Sequence, residues 1–248
     1  MMALVLWMLG YPDQAVQRSQ EALTLAHALA HPYSLAYTLF VSAVLRRYRR
    51  EWQMAQAHAE AALALATEHG FARYVALGAV LQGVVRAMQA QGETSMAQMC
   101  QGLAAVRGMD QTELQRSSLI MRAEVAEHAG EVEEGLALVA EALRALEANG
   151  QGDLLAEAYR LKGAFLLRQP VPDASAAEAC FQWALDVARR QQAKAWELRA
   201  ATSLARLWQQ HGKRTAAYEL LAPVYGWFTE GFDTADLQEA KALLDALA

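Results

Sequence analysis

Small residues recur in this chain at a fixed interval, and that recurrence limits the fold more than any other feature. A small residue followed by leucine stands at Ala22-Leu23, Ala62-Leu63, Gly102-Leu103, Ala142-Leu143 and Ala184-Leu185, in steps of 40, 40, 40 and 42 residues. Seven positions earlier in each case stand Ala15, Ala55, Ser95, Gly135 and Ala177. A third set, Ala43, Gly83, Ala123, Gly163 and Ala205, precedes the second by twelve to fourteen residues, and the same offset from Ala205 leads to Ala217. Three columns in phase with one shared length change indicate an internal repeat.

The physical reason for such columns is close packing, because only Gly, Ala or Ser lets two helices meet without a clash or a void. Each period therefore reads as a helical hairpin. Its first helix carries the Ala43-type column, and its second carries the Ala55-type and Ala62-type columns. In the fifth second helix, Ala177, Phe181, Ala184, Leu185 and Ala188 form one apolar stripe. Alanine, the best helix former, makes up about a fifth of the chain, with five prolines in all. This predicts an all-α chain with no strand.

The punctuation agrees. Turns within hairpins are expected at Gly10, near Arg50, and at Gly92, Gly130, Pro170 to Pro172 and Gly212. Turns between hairpins are expected at His31-Pro32, Gly70, Gly108, Gly150 and Gly231. His69, His128 and His211 stand just before such glycines, where a partial positive charge suits the helix dipole. Asp173 and a Ser175-x-x-Glu178 capping box are expected to open the fifth second helix.

A net charge of -5 and the lack of a basic stripe exclude a nucleic-acid partner. No stretch reaches the ~18 apolar residues of a membrane span, and Met1 to Leu9 lacks the basic start of a signal peptide. The expectation is a soluble, cytoplasmic protein without a membrane partner. Cys100 and Cys180 read as small buried hydrophobes.

The three columns resemble the tetratricopeptide repeat family over essentially the whole chain, as a right-handed α-solenoid of about six hairpins plus a terminal helix. The period of about 40 exceeds the usual 34. The proline that commonly closes each repeat is replaced by His27, Thr67, Arg107, Glu147 and Arg189. The run Leu207-Trp208-Gln209-Gln210-His211-Gly212-Lys213-Arg214, the run from Glu219 to Thr234, and the segments Glu178 to Phe181 and Gln191 to Lys194 are similar to the tail of bacterial multidomain signalling ATPases. Those proteins join a cyclase-like or winged-helix domain and an AAA/STAND-type ATPase to such a repeat region. The resemblance implies repeats over 1–232, the first of them truncated, and a capping helix over 233–248 starting at Asp233 or Thr234. The run from Met1 to Leu9 reads as half a first helix without a polar cap, which predicts missing upstream sequence or a self-associating end.

No catalytic, cofactor or metal site is expected. Gly212-Lys213-Arg214 lacks the first glycine and the hydroxyl of a phosphate-binding loop. His27 and His31, spaced as on one helix face, lack a third metal ligand. Glu131, Glu133 and Glu134 read as a solvated helix start, and Arg46, Arg47, Arg49 and Arg50 as a basic helix end. The six tryptophans, 7, 52, 183, 196, 208 and 227, read as core or inter-repeat packing.

In tetratricopeptide arrays the first helices line the concave face. The resemblance implies Tyr37, Phe40, Val44, Arg47 and Tyr48 in the second hairpin, and Leu77, Val80, Val84, Ala87 and Met88 in the third. The fourth would contribute Ser117, Ile120, Glu124, Glu127 and His128, and the fifth Glu157, Arg160, Ala164, Leu167 and Arg168. The sixth would contribute Arg199, Thr202, Arg206, Gln209 and Gln210. An amphipathic helix or partner domain along the apolar middle fits such a lining. The resulting expectation is a protein-protein or interdomain scaffold, the regulatory region of a signalling ATPase, with upstream ATPase or cyclase domains as partners. A peptide or small-molecule sensor is the alternative, and an enzyme the third reading.

Overall fold

The computed structural model describes residues 1–89, 112–147 and 152–248, and these are helical with no strand among them. In chain order the helices are α1 (Met2–Met8), α2 (Pro12–Ala28), α3 (Pro32–Tyr48), α4 (Trp52–Glu68), α5 (Ala72–Met88) and α6 (Thr112–Ala129). They continue as α7 (Val132–Glu147), α8 (Leu155–Arg168), α9 (Ala174–Arg190), α10 (Lys194–Gln210), α11 (Arg214–Tyr225) and α12 (Ala235–Leu247). Gly92, Ser95, Cys100, Gly102, Gly108 and Gly150 lie outside the described residues. No described helix is long and apolar enough to cross a membrane.

The chain divides into two compact units. The first comprises Met1–Trp7 and Pro12–Ser118, and the second Met8–Tyr11 and Leu119–Ala248. In the first unit α2 packs on α3, α3 on α4, and α4 on α5, while α3 also touches α5. Ala43, Ala55, Ala59, Leu81 and Val85 form one part of its core, and Leu23, Leu39 and Ala62 another. In the second unit each of α7 to α11 packs on the next helix, and α10 additionally touches α8 and α12. Its main core runs from Ala177 and Phe181 through Leu198 and Leu204 to Leu237 and Leu247.

The small-residue columns lie in these seams. Ala43, Ala55, Ala62, Ala123, Ala142, Ala177, Ala184, Ala205 and Ala217 are all fully buried, and the expected stripe of α9 is buried along its length. Ala22 departs from its column and is exposed. In α2 the seam runs through Ala15, Ser19, Leu23 and Ala26, whereas in α4 it runs through Ala55, Ala59, Ala62 and Ala66. A helical seam can step by three or by four residues, and in α2 Leu23 takes the place that Ala62 holds in α4.

Four turns, within and between hairpins, share one closure. At the ends of α3, α4, α9 and α10, the amides of Glu51, Phe71, Ala193 and Lys213 donate to carbonyls five residues back. The preceding residue, Arg50, Gly70, Gln192 or Gly212, donates three back. That pair of bonds defines a Schellman cap, whose penultimate residue must be left-handed. Gly70 (φ +68°) and Gly212 (φ +74°) adopt this without strain, while Arg50 and Gln192 do so despite their side chains.

Three local expectations are corrected. His31 does not share a helix face with His27. It is the N-cap of α3, its Nδ1 accepting from the Ser34 amide at 3.2 Å. Ser175 lies inside α9, whose cap is Asp173, bonded to the Ala176 amide at 2.9 Å. Glu178 accepts instead from the Trp208 indole at 2.9 Å, tying α9 to α10. Among the tryptophans, Trp7 and Trp196 are buried, but Trp183 is 55% exposed.

Candidate interaction site

The faces expected to bind a partner lie on the first helices of the hairpins, and the two units present different chemistry there. In the first unit the face belongs to α3 and α5. Tyr37 and Phe40 are half-buried, and Tyr33, one turn before Tyr37, is 46% exposed. All three surround the buried Tyr74 of α5. Tyr33 meets Tyr74 and Phe71 edge-to-face at 5.2 Å each, while Tyr37 and Phe40 lie 6.3 Å from Tyr74. Such tilted ring pairs gain from the opposite charges of ring edge and face. Burial pushes the Tyr74 hydroxyl up to about 12, and its bond with Tyr33 acts in the same sense.

Farther along α3, Arg47 is buried with its guanidinium 4.6 Å over the Tyr48 ring. Tyr48 in turn stacks on Trp7 at 4.6 Å. The neighbouring arginines are neutralised rather than presented. Arg46 bonds Glu51, and Arg49 reaches Glu51 at 2.5 Å and Asp13 at 3.4 Å. Burial alone would raise the Glu51 carboxyl, but the bonds from Arg46 and Arg49 outweigh it and hold that group below the usual range.

The apolar middle of the expected lining is not open. Leu77, Val80 and Val84 are buried, the last fully, and Met88 is half-buried. Helix α5 buries ten of its seventeen residues, so its apolar side chains surround the axis instead of forming one stripe. A helix apolar on all sides is enclosed, and these three residues are core.

In the second unit the expected charged residues meet one another. The Arg160 guanidinium of α8 grips both carboxylate oxygens of Glu157, at 2.8–3.0 Å, and both of Glu127 on α6, at 2.9 and 3.3 Å. Arg199 of α10 bonds Asp236 of α12 at 2.7 Å, approaches Glu157 at 3.9 Å, and lies 5.0 Å over Trp196. Glu124 adds its charge to the field at Arg199. Arg168 donates to the Glu127 carbonyl, and the more exposed Arg206 reaches Glu239 at 3.3 Å. Burial works against both Arg160 and Arg199 holding a proton, yet the facing carboxylates outweigh it and raise both groups. The result is a continuous ion-pair ladder across α6, α8, α10 and α12.

The sequence reading named the α6, α8 and α10 members of this ladder but not their partners on α12, which it treated only as a cap. It also missed Tyr33 and Tyr74, although each lies one helical turn from a residue it named. Among the described residues no group of three or more His, Cys, Asp or Glu side chains is placed to hold a metal ion. No protein-family model matches this chain, and no curated protein matches it either.

Proposed function

We propose that the chain is a tetratricopeptide-like, right-handed α-solenoid that serves as a protein-protein or interdomain interaction scaffold. In this reading α1 with α2, α3 with α4, α6 with α7, α8 with α9 and α10 with α11 are hairpins, α5 opens a further one, and α12 is the terminal helix. Two contacts support it, because α3 touches α5 as well as α4, and α8 touches α10 as well as α9. Its cellular role is that of the regulatory or sensor region of a bacterial signalling ATPase, working in the cytoplasm.

The observation that carries the scaffold reading is the aromatic group on α3 and α5. Tyr33, Tyr37 and Phe40 are held by ring contacts to a buried Tyr74, yet remain partly open to solvent. Pre-positioned aromatic side chains supply much contact area for little loss of conformational freedom, which is why they anchor interfaces. The test is calorimetric titration of the chain with separately produced ATPase and cyclase modules of the kind this reading places beside it. Binding is expected, and Tyr37→Ala with Phe40→Ala should weaken it by about tenfold or more. No heat of binding, or equal affinity of the double variant, overturns the proposal.

A further inference from the structure

We infer that the α3–α5 face of the first unit takes an acidic amphipathic segment, and that this surface, not the charged face of α6, α8 and α10, sets partner charge. The inference rests on the scaffold reading and adds the chemistry of the partner. The segments 31–50 and 71–89 contain six arginines and no aspartate or glutamate. The carboxylates that neutralise this surface come from other elements, and they engage Arg46, Arg49 and Arg86 through Glu51, Asp13 and Glu60. Arg73 is exposed beside the aromatic group, close enough for its charge to act on the Tyr74 hydroxyl.

The corresponding face of the second unit has its cations already engaged. Arg160 is held by two carboxylates, and Arg199 by Asp236 and Glu157. A charge satisfied within the fold adds little to binding, since a ligand must first break the existing pair. An apolar-aromatic platform with an accessible cation and no acid on its own helices selects a segment with one apolar face and flanking carboxylates. Like charges placed there by a basic segment would be repelled.

The test uses the full chain and three fluorescein-labelled helical peptides sharing one Leu/Phe face, their polar positions made all Glu, all Gln or all Lys. Anisotropy titration should show the Glu peptide binding about tenfold or more tightly than the other two, with that advantage shrinking as salt rises. Tyr37→Ala with Phe40→Ala should remove about tenfold of that affinity, Tyr37→Phe should retain it, and Arg73→Glu should move the preference towards the Lys peptide. Thermal melting of each variant distinguishes lost binding from lost folding. Equal affinity for all three peptides, still dependent on Tyr37, overturns the acidic preference while the scaffold reading stands. A Glu preference that ignores Tyr37, Phe40 and Arg73 overturns the assigned face. No binding of any peptide overturns the inference, and the titration with ATPase and cyclase modules then decides the scaffold reading separately.

Discussion

The ring of Phe165 lies against Gly135 so closely that a Cβ on the glycine would stand 2.1 Å from the ring's Cζ. Phe165 is a fully buried residue of α8, and Gly135 lies in the first turns of α7. One helix later, Gly163 of α8 receives Phe181 of α9 in the same way, at 2.6 Å. Small residues in the helix seams therefore work in two ways. At Gly78, a small residue outside the columns, a Cβ would stand 3.2 and 3.4 Å from the Leu63 Cβ and Cα and the helices approach closely, whereas at Gly135 and Gly163 the missing side chain is the socket for a phenyl ring.

Gly135→Ala is expected to destabilise the protein by about 1–3 kcal/mol, the usual range for overpacking a tight core. Helix propensity alone argues the other way, since alanine is favoured over glycine by about 1 kcal/mol. Urea unfolding decides the sign. A stabilised variant would mean that Phe165 yields freely and the socket is loose. Phe165→Leu should rescue part of the loss.

The ladder predicts non-additive behaviour. Arg160→Leu leaves Glu157, whose side chain is 2% exposed, to the more distant Arg199 at 3.9 Å and takes from Glu127, at 20%, the guanidinium the two share. Breaking such a pair from one side costs about 3 kcal/mol or more, while replacing both partners by apolar groups costs far less. Denaturation midpoints of Arg160→Leu, Glu157→Leu and the double variant provide the cycle. Additive losses would show that Arg160 and Glu157 are not coupled.

The loss of His31 should reveal a cap. His31→Ala is expected to lower stability by about 1 kcal/mol, because the Ser34 amide loses its acceptor. His31→Asn should restore most of it. If alanine and asparagine behave alike in thermal melts, the Nδ1 bond contributes nothing.

Two of the eight tyrosines are expected to ionise late. Burial, joined by the bond to Tyr33, raises Tyr74 to about 12, and burial with the Glu147 bond raises Tyr159 to about 12. Each folded value lies above the ordinary tyrosine value of about 10, so the neutral phenol is favoured in the folded state. The associated stability is present in full below about pH 10 and is lost as pH rises through about 12. Absorbance titration at the phenolate band should show a late component that shrinks by half in Tyr159→Phe. Ionisation of all tyrosines together would contradict the buried placement.

Much of the architecture was readable before any coordinates. The α9 stripe from Ala177 to Ala188 is buried as its spacing requires, and Gly70, Gly130 and Gly212 take the left-handed turns assigned to them. What could not be read was which of several compatible partners a side chain would choose. Asp173 and the Ser175–Glu178 pair were both expected to open α9, and Asp173 alone made the cap, leaving Glu178 for Trp208. His27 and His31 satisfied a helical spacing, yet Ala30 turns left-handed between them and ends the helix they would have shared.

Among the described residues, the order of helices and turns and most of the buried small-residue positions, Ala22 excepted, were determined by the sequence alone, because they follow from propensity, caps and a repeat period, all short-range or periodic quantities. Only tertiary structure decided that Leu77, Val80 and Val84 are core while Tyr33 and Tyr37 remain accessible, and that Arg160 and Arg199 are consumed by carboxylates on neighbouring helices. Those outcomes depend on how far each helix is rotated about its axis and on which charges then fall within about 4 Å of each other, and a linear sequence states neither.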